Sequence, residues 1–170
     1  MKKGWNITEK VIATILQGWS LFYLYSVSSG IYDRLHLGLS SGRITQDDMS
    51  YFELFKLFHS NYFIGLLALY AGLALMYDKK GGWIAAVASI LLYAGFFLVS
   101  GRNTMMVETN PKILLAVSYF IAALIFVVMF ILLLQKPFRA KYQPNVVNWL
   151  VIMLMIILVV IDKSIFGAYA

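Results

Sequence analysis

Residues 113–134 read ILLAVSYFIAALIFVVMFILLL. No residue in this run is charged. The hydrocarbon core of a bilayer, about 30 Å thick, takes roughly 20 apolar residues of helix to cross. Backbone N–H and C=O groups meet no water there, so they must bond within the segment, and a helix does this. The run predicts a membrane span, and it sets the class of the whole chain.

Four further apolar runs follow the same logic. They cover residues 11–31, 62–77, 83–100 and 146–166. The last is apolar only as far as Ile161 and reaches full length by continuing past Asp162 and Lys163; a four-span chain is the alternative. The first follows Lys2, Lys3 and Lys10, as a signal peptide would, but its length and its Tyr and Trp content read as an uncleaved anchor. The expectation is an all-α integral membrane protein. It is a single transmembrane helical domain over residues 1–170, a bundle of five transmembrane helices with one amphipathic outer helix at residues 45–60.

Composition agrees. Apolar residues make up 61% of the chain and charged residues 13%, with a mean hydropathy of +0.78. Soluble domains carry about 25% charged residues. With no cysteine in the chain, disulfides, thiol catalysis and c-type haem attachment are excluded. The net charge of +6 is not gathered into one patch, which argues against nucleic acid as a partner.

Turn signals separate the runs. Lys79-Lys80-Gly81-Gly82 reads as a tight polar turn, Asn110-Pro111 as the approach to the fourth span, and Lys136-Pro137 as its end. Gln143-Pro144-Asn145 opens the fifth, with Asn145 as N-cap. Trp5, Tyr77, Trp83, Tyr142 and Trp149 fall near span boundaries, as an aromatic belt requires.

Lysine and arginine favour the cytoplasmic ends of short loops. With the N-terminus inside, the inner side holds eight basic and two acidic residues, net +6, and the outer side six of each, net zero. The expected location is the plasma (inner) membrane, N-terminus cytoplasmic and C-terminus extracytoplasmic. Both histidines and most acids then lie outside, and the inner side reads as lysine-bearing turns.

The connection over residues 32–60 is the longest. Tyr32 to His36 extends the first span, and Leu39-Ser40-Ser41-Gly42 stops it. Thr45-Gln46-Asp47-Asp48 resembles a capping box. Tyr51, Phe52, Phe55 and Phe58 then recur at helical spacing, with Glu53 and Lys56 between them. The segment reads either as an interfacial helix or as a direct run into the second span; the absence of Gly or Pro between Met49 and Tyr62 favours continuity.

Candidate functional residues are the polar groups at membrane depth or at helix ends: Gln17, Asp33, Arg34, His36, Glu53, His59, Arg102, Glu108, Asp162 and Lys163. Gln17, with Thr14 and Ser28, marks an internal face of the first span. His36 and His59 on facing helices suit a haem or a metal shared with Glu53, but ordinary boundary histidines are the commoner reading, and no cofactor or metal is expected. Gly65, Ala68 and Gly72, then Ala85 and Ser89, then Ser118 and Ala122, form stripes that let helices approach closely. No nucleophile elbow, P-loop or dinucleotide-binding pattern occurs. The function expected is that of a non-enzymatic membrane subunit packing with itself or with other membrane protein subunits in the lipid bilayer. A small oligomeric channel or transporter is the alternative, and an enzyme on lipid or envelope substrates the second.

Overall fold

The computed structural model describes residues 3–42, 51–106 and 113–166. Helix α1 runs Lys3–Ser40, α2 Tyr51–Met76, α3 Lys80–Met106, α4 Ile113–Leu133, α5 Lys136–Tyr142 and α6 Val146–Phe166. No strand occurs among the described residues. Five of the helices, all but α5, are long and apolar enough to cross a membrane.

Helix α1 has 38 residues, about 57 Å at 1.5 Å per residue, and outruns any bilayer core. It stops where expected: the Ser41 N–H reaches the Leu37 carbonyl at 3.0 Å and the Gly42 N–H that of Leu39 at 3.2 Å. Gly42 has φ +67°, a left-handed conformation that glycine adopts without a Cβ clash. Of the two readings of the segment before the second span, the direct run holds in place of a separate amphipathic outer helix. Residues 51–60 are the first turns of α2, because nothing in them interrupts the helix; residues 45–50 lie outside the described residues.

The turn between α2 and α3 is also displaced from its sequence position. Tyr77, Asp78 and Lys79 make it, with Asp78 left-handed at φ 58° and the Lys79 N–H on the Ala74 carbonyl at 2.8 Å. Gly81 and Gly82 are already helical. They are needed for proximity: a Cβ on Gly82 would stand 2.6 Å from the backbone of Ala74 and Leu75. After α4, Pro137 sits in the first turn of the short α5, where its missing N–H costs nothing. Asn145 then caps α6, its Oδ1 accepting the Asn148 N–H at 3.0 Å.

Helix α3 is the axis of the bundle, with α2, α4 and α6 packed around it and α1 laid along α2. The glycine stripe of α2 is an internal seam: a Cβ on Gly72 would come 2.8 Å from the Ala13 carbonyl oxygen, and one on Gly65 2.6 Å from Leu24 Cδ2. Ala85 and Ser89 are likewise buried. The α4 stripe is corrected, since Ser118 is exposed and the face toward α3 carries Ala116, Ala123, Phe126 and Met129. The middle of the bundle is closed by rings from three helices. Trp19 lies 5.3 Å from Phe97 and 5.9 Å from Phe126, and Tyr93 lies 5.2 Å from Phe126. Helix α6 is peripheral, touching its neighbours through Asn148, Ile152 and Val159.

Candidate functional site

Polar side chains gather at the two ends of the bundle. At the end bearing the N-terminus, Glu9 occupies the same stripe of α1 as Ile12, Ala13, Leu16 and Ser20, one helical turn apart, and shares their burial. It is 0% exposed. A buried carboxylate must be paired. The Tyr142 hydroxyl donates to its Oε1, and the Lys141 ammonium donates to its Oε2 at 2.6 Å. Lys141 donates again to Asp78 Oδ1 at 2.6 Å. Lys10 lies 3.7 Å from that same oxygen and donates to the Met76 carbonyl at the end of α2. One network therefore ties α1, the α2–α3 turn and α5 together.

The electrostatics follow the contacts. The Lys141 hydrogen bond holds the Asp78 carboxyl below its ordinary range. Burial alone would lower Lys141, but the Asp78 and Glu9 carboxylates outweigh it and its pKa rises. Burial, then the Glu9 carboxylate, pushes the Tyr142 hydroxyl up, so it stays a proton donor.

At the opposite end, His59 Nε2–H of α2 donates to Asp162 Oδ1 of α6 at 2.7 Å. Both side chains are partly exposed. Asp162 Oδ2 is buried without a hydrogen-bond partner among the described residues. One residue on, the Lys163 ammonium donates to Asn61 Oδ1 at 2.7 Å and lies 5.7 Å above the Phe96 ring. Asn61 Oδ1 also accepts the Tyr23 hydroxyl at 3.1 Å, linking α1 to the group. A His–carboxylate pair can hold or pass a proton, and here it also fastens α6 to the start of α2.

Of the residues expected from sequence, His59, Asp162 and Lys163 come together. His36 stays exposed on α1 with its ring 6.1 Å from that of Tyr32. Asp33 and Arg102 are exposed. Gln17 is half-buried against Gly72 rather than facing an open path, and Thr14 is exposed, so the polar face expected for α1 is corrected: its buried polar members are Glu9 and Ser20. The hydroxyl of Ser28 meets Tyr62 at 2.9 Å. The side chains of Arg34 and Glu53, and all of Glu108, lie outside the described residues. Among the described residues no cluster of three or more His, Cys, Asp or Glu suits a metal.

Sequence reasoning missed the Glu9 network. The signal was present: Glu9 is in phase with the apolar stripe of α1. Its partners Lys141 and Tyr142 read instead as a basic turn and a belt aromatic. No protein-family model, curated protein or solved structure matches the chain.

Proposed function

We propose that the chain is a non-enzymatic multi-pass subunit of the plasma membrane, N-terminus cytoplasmic, that works by packing with itself or a partner membrane protein. One observation carries this reading. The charged clusters at both ends bind helix to helix, and the space between them is closed by Trp19, Tyr93, Phe97 and Phe126. Of the side chains that an oligomeric channel would place on its path, Thr14 and Arg102 are exposed, Gln17 abuts Gly72 and Asp162 pairs with His59. The experiment is purification from membranes in a mild detergent, with mass determined by light scattering. An assembly of defined stoichiometry is expected. A stable monomer with no co-purifying membrane protein overturns the reading. Because the chain has no cysteine, single cysteines on the exposed faces of α4 and α6 then report the packing face by cross-linking in the membrane.

A second reading rests on His59 and Asp162. A histidine held by a carboxylate is the arrangement an acid–base enzyme uses, here for a lipid or envelope substrate. Replacing both with Gln and Asn, with no change in the lipid composition of cells that depend on the protein, removes it.

A further inference from the structure

A crevice of about 390 Å³ runs between α3 and α6, with Ile64 of α2 also on its wall. Leu91, Gly95 and Val99 of α3 face Ile156 and Val160 of α6 across it. The volume lies within the range of small-molecule sites, about 300–1,000 Å³. Gly95 is the point of entry. A Cβ built there meets no atom within 4 Å, in contrast to Gly65, Gly72 and Gly82, where helices touch. Val99 and Val160 are exposed on the surface beside it. An occupant therefore arrives sideways, from the surface that the spans present to hydrocarbon.

Lys163 is the one charged residue on the lining. It lies 17 residues, about 26 Å, along α6 from Val146, close to the far edge of a hydrocarbon core about 30 Å thick. From Ile156 to Lys163 the crevice follows α6 for about 10 Å. The ammonium has three donors, of which one is used by Asn61. Among the described residues it makes no ion pair with a carboxylate, and the neighbouring Asp162 is engaged by His59. Apolar walls below a cation at the membrane surface complement one class of molecule: an acyl chain attached to an anion.

We propose that this crevice binds an anionic phospholipid, its acyl chain lying along Gly95 and its phosphate paired with Lys163. The chain portion gives little preference among lipids, because bilayer hydrocarbon is as apolar as the crevice. Lys163 supplies the selectivity. One ammonium–phosphate pair at a partly exposed site is worth up to about 1 kcal/mol, roughly a fivefold preference.

The test is native mass spectrometry of the full chain, delipidated and titrated with phosphatidylglycerol or phosphatidylcholine of the same acyl chains. The unaltered protein is expected to retain one phosphatidylglycerol about five times better than phosphatidylcholine. Lys163→Gln should abolish that preference while leaving binding of both lipids. Gly95→Leu, whose side chain enters the crevice, should reduce retention of both. Lys136→Gln at the other end should change neither. Val99→Trp takes the place of Gly95→Leu if that variant does not fold. Equal retention of the two lipids by the unaltered protein overturns the proposal, as does a preference that survives Lys163→Gln or a retained lipid that survives filling the crevice.

Discussion

The two ends of the bundle solve the same problem in different ways. At the Glu9 end a carboxylate is taken wholly out of solvent, and three elements converge to satisfy it. At the Asp162 end the pair with His59 is partly exposed, one carboxylate oxygen has no partner among the described residues, and an apolar crevice opens beside it. The lesson is about solvent. A carboxylate that loses all contact with water must be matched at both oxygens, which forces a closed and rigid network. At Asp162 only Oδ1 is matched, by His59, while Oδ2 stays buried without a partner among the described residues, so this end is less completely satisfied. The Glu9 end is accordingly read as a clasp and the Asp162 end as the adaptable one.

The sharpest way to break this comparison is at Glu9. Glu9→Ala strips Tyr142 and Lys141 of a shared acceptor, and should destabilise the protein by about 3 kcal/mol, near the lower end for breaking a buried pair because Lys141 keeps Asp78. Reversible unfolding in detergent micelles, followed by helical circular dichroism, measures it. A loss below that seen at Asp162 would reverse the assignment of the two ends.

Glycine tests the same contrast through shape. Gly82→Ala, whose Cβ would press on the Ala74 and Leu75 backbone, should cost about 2 kcal/mol in the same assay. Gly95→Ala meets nothing and should be neutral or slightly stabilising, since alanine is the better helix former by about 1 kcal/mol. Equal effects at the two positions would show that the α3–α6 crevice is closed in the micelle-embedded protein.

Asp162→Asn should cost about 1 kcal/mol, the worth of a single hydrogen bond in a partly exposed pair. His59→Gln combined with it should add little, because the two residues act as one tie. A double-mutant cycle with no coupling would show that the pair does not form in the detergent-solubilised protein.

The smallest effect is the pH dependence of the clasp. Asp78 has a lowered folded pKa, so its contribution is present above the ordinary carboxyl range and is lost as pH falls through the lower folded value. Lys141 has a raised one, so its contribution is present below 10.5 and is lost as pH rises through the higher folded value. Asp78 is mostly exposed, and Asp78→Asn should cost no more than about 0.5 kcal/mol near neutrality. Unfolding midpoints of parent and variant should converge in acid, below about pH 4.

How far the sequence could be read depended on whether a feature was local. The continuity of α2 through residues 51–60 followed from a chain segment with no breaker, the end of α1 from Gly42, and the start of α6 from Asn145. These are decided by backbone chemistry within a few residues. The turn at Asp78 was read one step too late because Gly81-Gly82 signals a turn in isolation, whereas here it answers a steric demand from Ala74 and Leu75 across the turn. Helix α5 was missed because seven residues with two apolar anchors, Phe138 and Tyr142, carry too short a period to recognise. Of the candidate site, the pairing of His59 with Asp162 was out of reach: the partners are 103 residues apart, and His59 had nearer acids in the sequence.

By itself the amino-acid order determined that this chain is helical, that five of its helices suit a bilayer, and where most of them begin and end. Those properties depend on hydropathy and backbone hydrogen bonding summed along one segment. Only the folded bundle decided which charges meet. Glu9, Asp78 and Lys141 come from three separate elements, and what joins them is the high free energy of a lone charge away from water, which acts between segments and is silent in any one of them.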